Sequence, residues 1–206
     1  MENDDDPPQL SAETFAALQE FYREQDQKQH LQTILSDNTP DENWQLSQFW
    51  YNDSTVNTLC KIAKKSVQSG DKIALISCPT LYKTFKDELN NCSVHLYEYD
   101  KRFSYCGDDF IYYDYNNPLK IPNEYKGYYD LVIADPPFLS EECLMKTVST
   151  MKYIGKEKYI LCTGAIMEDL ANKLLKLTKT SFEPQHKNNL GNKFHCYSNY
   201  NIDDFL

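Results

Sequence analysis

The 206-residue chain is 41% hydrophobic and 25% charged, with 16 Tyr and 10 Phe, a composition too rich in core-forming residues for a disordered segment. That length suits one domain able to bury a core without staples. Its formal net charge of −10 repels phosphate backbones and attracts basic partners, which argues against a nucleic-acid substrate.

Residues 1–9 are acidic and contain Pro7-Pro8, which predicts a disordered tail rather than a signal peptide. Ser11 is placed to cap a helix, with Leu10 stapling onto Phe15 and with Leu18, Phe21 and Tyr22 completing an apolar stripe. The helix runs into a polar stretch at 25–29, and residues 36–43 are turn-formers that read as a linker. Both tryptophans, Trp44 and Trp50, follow in one short segment. Residues 10–53 are thus expected to form an N-terminal helix and aromatic segment packed on a main domain of residues 54–206. Ser54 reads as the cap of a second helix. Its apolar positions Val56, Leu59, Cys60, Ala63 and Val67 have helical spacing, and Gly70 ends it.

From there, short apolar runs alternate with helical patterns. Strands are expected at 72–77, 94–99, 110–113, 129–134 and 159–162, and helices at 80–89, 140–153 and 165–177. A last strand pair, 181–183 and 193–200, should flank a turn at 188–192. This order implies an α/β fold with a mostly parallel sheet, and the largely apolar run Tyr129–Ala134 implies burial on both faces. In such sheets ligands bind where strands end, so the informative residues are Ser77-Cys78-Pro79, Glu98, Asp100, Asp114-Tyr115 and Asp135-Pro136-Pro137-Phe138.

The last of these carries the chemistry. Two prolines stop a strand, donate no hydrogen bond and leave carbonyls free. Asp135 adds a carboxylate and Phe138 a flat apolar face. An amine about to be methylated needs such a set: acceptors that hold its N–H groups from behind, and a wall against which its carrier packs. A plain strand-ending turn with a capping Asp would use the same four letters.

The turn after the first strand, Ser77-Cys78-Pro79-Thr80, has no glycine, which disfavours a dinucleotide dehydrogenase. A carboxylate at the end of the second strand, Glu98 or Asp100, suits ribose hydroxyls. Asp114 could take an adenine amino group or simply cap the turn at Asn116-Asn117-Pro118. Trp44 and Trp50 are candidates to close over a ligand, or to anchor the N-terminal region in the core. His30, His95, His186 and His195 lack ligand spacing and are given no role. Seven cysteines, an odd number with no C-x-x-C pair, point to reduced thiols rather than a disulfide framework or a metal site, as in a cytosolic protein.

Five blocks together resemble one family: Asn43–Tyr51, Tyr97–Phe103, Tyr113–Pro118, Ile133–Leu144 and Leu161–Glu168. They are similar to the eukaryotic elongation factor 1-alpha lysine methyltransferases, first named as N6-adenine DNA methyltransferases for their Asp-Pro-Pro-aromatic motif. The resemblance runs from about Pro8 to Tyr200. It implies a Rossmann-like class I methyltransferase fold, with a seven-stranded, mostly parallel sheet and helices on both faces. S-adenosylmethionine is implied as donor, and a lysine of elongation factor 1-alpha in the cytoplasm as acceptor. Asp135, Pro136, Pro137 and Phe138 then form the catalytic motif. The family often has Tyr where this chain has Phe138, a change that keeps the ring and loses a hydroxyl. The chain is expected to act as a monomer, with no membrane and no stable nucleic-acid partner. The alternatives are an N6-adenine methyltransferase of DNA or RNA and a catalytically inactive scaffold.

Overall fold

The computed structural model describes residue 11 and residues 14–23, 39–188 and 191–206. The chain divides into two compact units, Met1–Pro40 and Asp41–Leu206. The expected acidic tail at 1–9, the staple residue Leu10, the polar stretch at 25–29 and the start of the linker lie outside the described residues. In the first unit, residues 14–23 form helix α1, and Ser11 caps it by accepting from the backbone N–H of Thr14 at 3.2 Å.

The second unit is built on one sheet. Its elements are α2 (Asp53–Ser66), β1 (Lys72–Ile76), α3 (Tyr82–Glu88), β2 (Ser93–Glu98), β3 (Phe110–Tyr112), β4 (Tyr129–Ala134), α4 (Glu141–Ile154), β5 (Gly155–Gly164), α5 (Glu168–Leu175), β6 (Thr178–Lys179) and β7 (Phe194–Ser198). The seven strands lie in the order β3-β2-β1-β4-β5-β7-β6. The first five are parallel to one another, while β7 runs antiparallel to both β5 and β6.

Alternate residues of each strand feed two cores. Ile73, Leu75, Leu131 and Ile133 face a layer that contains Leu59, Ile62 and Phe85 of α2 and α3. Ala74, Ile76, Val132 and Ala134 face a layer that contains Leu144, Val148 and Ala171 of α4 and α5. Helices therefore cover both faces, which is why β1 is apolar from Ile73 to Ile76 and β4 from Leu131 to Ala134.

Three local readings change. The cap of α2 is Asn52, whose side chain accepts from Thr55 N at 2.8 Å; Ser54 lies inside the first turn. The helix ends at Ser66, and Gly70 instead supplies a turn with φ of 90°. Residues 181–183 are not a strand. The partner of β7 is Thr178–Lys179, paired as Thr178↔Ser198, so the connection is longer than a hairpin turn. The expected turn at 188–192 includes two residues outside the described set, 189 and 190.

Successive strands β1, β2 and β3 step outward in one direction, and β4 and β5 step in the other. The strand order therefore reverses between β1 and β4, and a crevice opens beyond their carboxyl ends.

Candidate active site

The two strands at the reversal are held in register to their last residues. Ile76 pairs with Ala134, and Asp135 donates its backbone N–H to Ile76 O at 3.0 Å. That is the final rung. Pro136 and Pro137 have no N–H to continue it, so the chain leaves the sheet and carries Phe138 outward. Ser140 then caps α4 by accepting from Cys143 N at 3.2 Å. Between them, Leu139 packs on Gly164 at the end of β5. A Cβ at Gly164 would stand 2.9 Å from Leu139 Cδ2, so the missing side chain makes room for the motif.

On the other side of the crevice the chain leaves β1 through Ser77, which has φ of 54°. This is the left-handed conformation that a glycine adopts without cost, and here a serine adopts it. The turn is pinned by Ser77 N donating to Tyr97 O at 2.9 Å, and by the buried Cys78 thiol, 3.7 Å from Ile133 O. Burial pushes that thiol well above its usual range, so it is an inert packing group.

These turns surround a cavity of about 420 Å³, within the roughly 300–1,000 Å³ usual for small-ligand sites. Ser77, Cys78, Pro79, Glu98, Asp114, Tyr115, Trp50 and the whole run Asp135–Phe138 line it, as expected from the sequence. Trp50 does so while packing edge-on against Phe103 at 6.0 Å, which makes it both core anchor and cavity wall. Trp44 and Asp100 do not line it. Trp44 is 71% exposed, and its indole N–H donates to Glu42 at 3.3 Å.

Asp100 is engaged elsewhere. It is buried against Arg102 at 2.7 Å, and it accepts from Arg102 N at 2.9 Å and from Gln48 Nε2 at 2.9 Å. Arg102 also donates to Asp41 O at 3.1 Å and to Gln48 Oε1 at 3.0 Å. This network ties residues 41–48, part of the cavity wall, to the end of β2. All of these residues belong to the second compact unit, which begins at Asp41.

Glu98 is the freer of the two carboxylates at the end of β2. Its Oε1 accepts from Tyr99 N at 2.9 Å and Asp100 N at 3.0 Å, and none of the described residues donates to Oε2. Burial pushes its pKa up to about 7, against the pull of those two amides. Asp114 lines the cavity but spends one oxygen on Asn116 N and the other on Asn117 Nδ2, each at 2.9 Å. It therefore caps its turn, and those hydrogen bonds hold its pKa below the ordinary value despite the opposing desolvation.

Asp135 is partly buried, and desolvation pushes its pKa to about 7, with Tyr51 acting in the opposite sense. Phe138 is 41% exposed at the rim and lies 5.6 Å from the Tyr115 ring. Three carboxylates line the cavity, and among the described residues no Lys or Arg does.

Long-range contacts add groups that no local motif marks. Residues 50–52 run antiparallel to 185–187, with Asn52 N donating to Gln185 O at 3.0 Å and Lys187 N to Trp50 O at 2.7 Å. This brings His186 and Phe194 to the cavity. Burial lowers His186 to a pKa of about 4, so it is neutral at physiological pH. All seven cysteines are unpaired. No helix among the described residues is long and apolar enough to cross a membrane.

Residues 42–202 match the family described as "Probable N6-adenine methyltransferase". Over 203 residues the chain is 49% identical to EEF1A lysine methyltransferase 1 of Homo sapiens, covering 96% of this chain and 94% of that protein. It is 35% identical over 226 residues to the protein-lysine N-methyltransferase EFM5 of Saccharomyces cerevisiae, covering 93% and 91%. Among solved structures, magnesium protoporphyrin IX methyltransferase from Synechocystis superposes with a TM-score of 0.53 at 11% identity, covering 82% of this chain and 88% of that one. A branched-chain polyamine synthase mutein from Thermus thermophilus does so at 0.62 and 10%, covering 82% and 62%. The fold is thus the Rossmann-like class I methyltransferase fold. By identity over nearly its whole length, the chain belongs to the EEF1A lysine methyltransferase 1 family.

Proposed function

We propose that this protein transfers a methyl group from S-adenosylmethionine to a lysine ε-amine of elongation factor 1-alpha, the substrate named for its relatives. The observation that carries the proposal is the cavity itself: Asp135, Pro136 and Phe138 at the strand reversal, with carboxylates and no Lys or Arg among the described lining residues. Such a lining opposes phosphate groups and favours cations, which both a sulfonium and a lysine provide. The net charge of −10 acts in the same direction on a basic protein substrate.

The residues present fit the cofactor. Glu98, with one oxygen free of described donors, is placed at the end of β2 to accept from ribose hydroxyls, and the turn at Ser77–Pro79 forms the adjoining floor. When bound there, S-adenosylmethionine would supply a methyl group on a positively charged sulfur, a leaving group that would keep the C–S electron pair as the amine's lone pair takes the carbon.

The chain's own groups prepare the amine. A lysine has an ordinary pKa of about 10.4 and must shed a proton before it can attack. Leaving water lowers that value, and Asp135, with a pKa of about 7, is matched to act as proton acceptor. Asp135 and a proline carbonyl then accept the amine's N–H groups, which aims its lone pair away from them. Phe138 and Tyr115, 5.6 Å apart, offer aromatic faces to the aliphatic stem and cationic head of the entering lysine. Positioning of this kind lowers a barrier by several kcal/mol, on the order of the gain from alignment alone. We place this activity in the cytoplasm, where the reduced state of the seven cysteines is maintained.

The test is transfer of labelled methyl to purified elongation factor 1-alpha, DNA and RNA, with Asp135→Ala as control. Label on the elongation factor, lost in the variant, supports the proposal. Label on nucleic acid, or equal transfer by the variant, overturns it.

A further inference from the structure

Tyr51 lies immediately after the tryptophan that walls the cavity, and its ring is 2% exposed. It is fixed from outside the motif by the bridge to His186, whose ring centre is 5.1 Å away, and by the backbone bonds on either side. Its hydroxyl is buried and has no hydrogen-bond partner of good geometry. A buried phenol left so is costly and calls for an explanation. The groups that face it are Asp135 after β4, Cys78 after β1 and Cys162 on β5, with the His186 ring tilted against the Tyr51 ring at 38°. The two thiols are held protonated, Cys162 by Cys196 and burial and Cys78 by burial, and His186 is neutral. Asp135 is therefore the strongest of these acceptors, and Tyr51 acts to keep that carboxylate ionised against its burial.

We infer that Tyr51 is a positioning residue for the reaction: its phenol donates to one oxygen of Asp135 and so turns the other oxygen toward the amine entering the cavity. This rests on the proposed methyl transfer. No atom is exchanged with substrate by Tyr51. The hydrogen bond tightens when Asp135 is ionised and relaxes when it is protonated.

The test compares wild type with Tyr51→Phe, which removes only the hydroxyl. Carbon-13 titration of the Asp135 carboxyl, assigned with Asp135→Asn, reads the pairing without any turnover. The midpoint should rise by about one pH unit in Tyr51→Phe, the effect of losing a hydrogen bond to a charged group. The acid limb of kcat should move up in parallel, with kcat at pH 7 down about tenfold and the dissociation constant for S-adenosylmethionine unchanged. Incorporation of 3-fluorotyrosine at position 51, a stronger donor, should move the midpoint down, and serves if Tyr51→Phe fails to fold. An unmoved midpoint in both variants overturns the inference, including the case where only the melting temperature falls. A moved midpoint in a protein that methylates none of the substrates supports the pairing and rejects the functional reading.

Discussion

Replacing Asp135 by Asn should make the protein more stable and inactive at once. The carboxyl has an ordinary pKa of 3.8 and one of about 7 in the fold, because burial disfavours its charge. That gap corresponds to about 4 kcal/mol withheld from the folded state when Asp135 is ionised, an upper limit because the group is only partly buried. The sign follows from proton uptake. Between pH 4 and 7 the folded form holds a proton that the unfolded form has lost, so stability falls as pH rises through this window. Above about pH 7 the full cost is present, and below about pH 4 it is absent. Asn keeps the shape without the charge. At pH 8 its melting temperature should therefore exceed wild type by up to about 10 °C for a domain of this size, with the difference closing toward pH 4. Denaturation by heat and by urea at pH 8 and pH 5 measures this, alongside methyl transfer. A variant less stable than wild type at pH 8, or a difference independent of pH, refutes the reasoning.

Glu98→Gln should weaken S-adenosylmethionine binding about tenfold by calorimetry, and wild-type affinity should rise between pH 6 and 8 as Glu98 ionises through its pKa of about 7, more steeply than that of the variant, in which Asp135 alone titrates there. Arg102→Met should destabilise the fold by about 3–5 kcal/mol in urea titration, because it leaves Asp100 buried without its cation and releases the 41–48 wall. Ser77→Gly should raise stability by about 1 kcal/mol, since φ of 54° is free for glycine and strained for serine; equal or lower stability argues that the turn pays nothing for its serine.

The candidate site was legible in the sequence as far as local rules reach. Tyr129–Ala134 is a strand with the expected bounds, because the apolar run Leu131–Ala134 within it is closed by Asp135 and two prolines. The other strand ends were legible less sharply: β1, β2 and β3 each stop one residue earlier than expected, and β5 runs on to Gly164. Choices between near neighbours were not legible. Asn52 and Ser54 are both good caps, and the hydrogen bond of Thr55 to Asn52 decides between them. Glu98 and Asp100 end the same strand, and Arg102 with Gln48, brought from 54 residues away in sequence, takes Asp100 out of the cavity. Trp44 and Trp50 share a segment, yet only Trp50 finds Phe103 to pack on.

The sequence by itself determined the alternation of elements, the double-faced burial of the central strands and the motif at the strand reversal, all of which depend on residues within a few positions of one another. Only the tertiary structure decided that β7 pairs antiparallel between β5 and β6, that 50–52 runs against 185–187, and that His186 and Phe194 line the cavity. Those arrangements rest on contacts beyond the reach of local periodicity, the pairing of 50–52 with 185–187 across more than a hundred residues, and there the free energy of packing selects the partner.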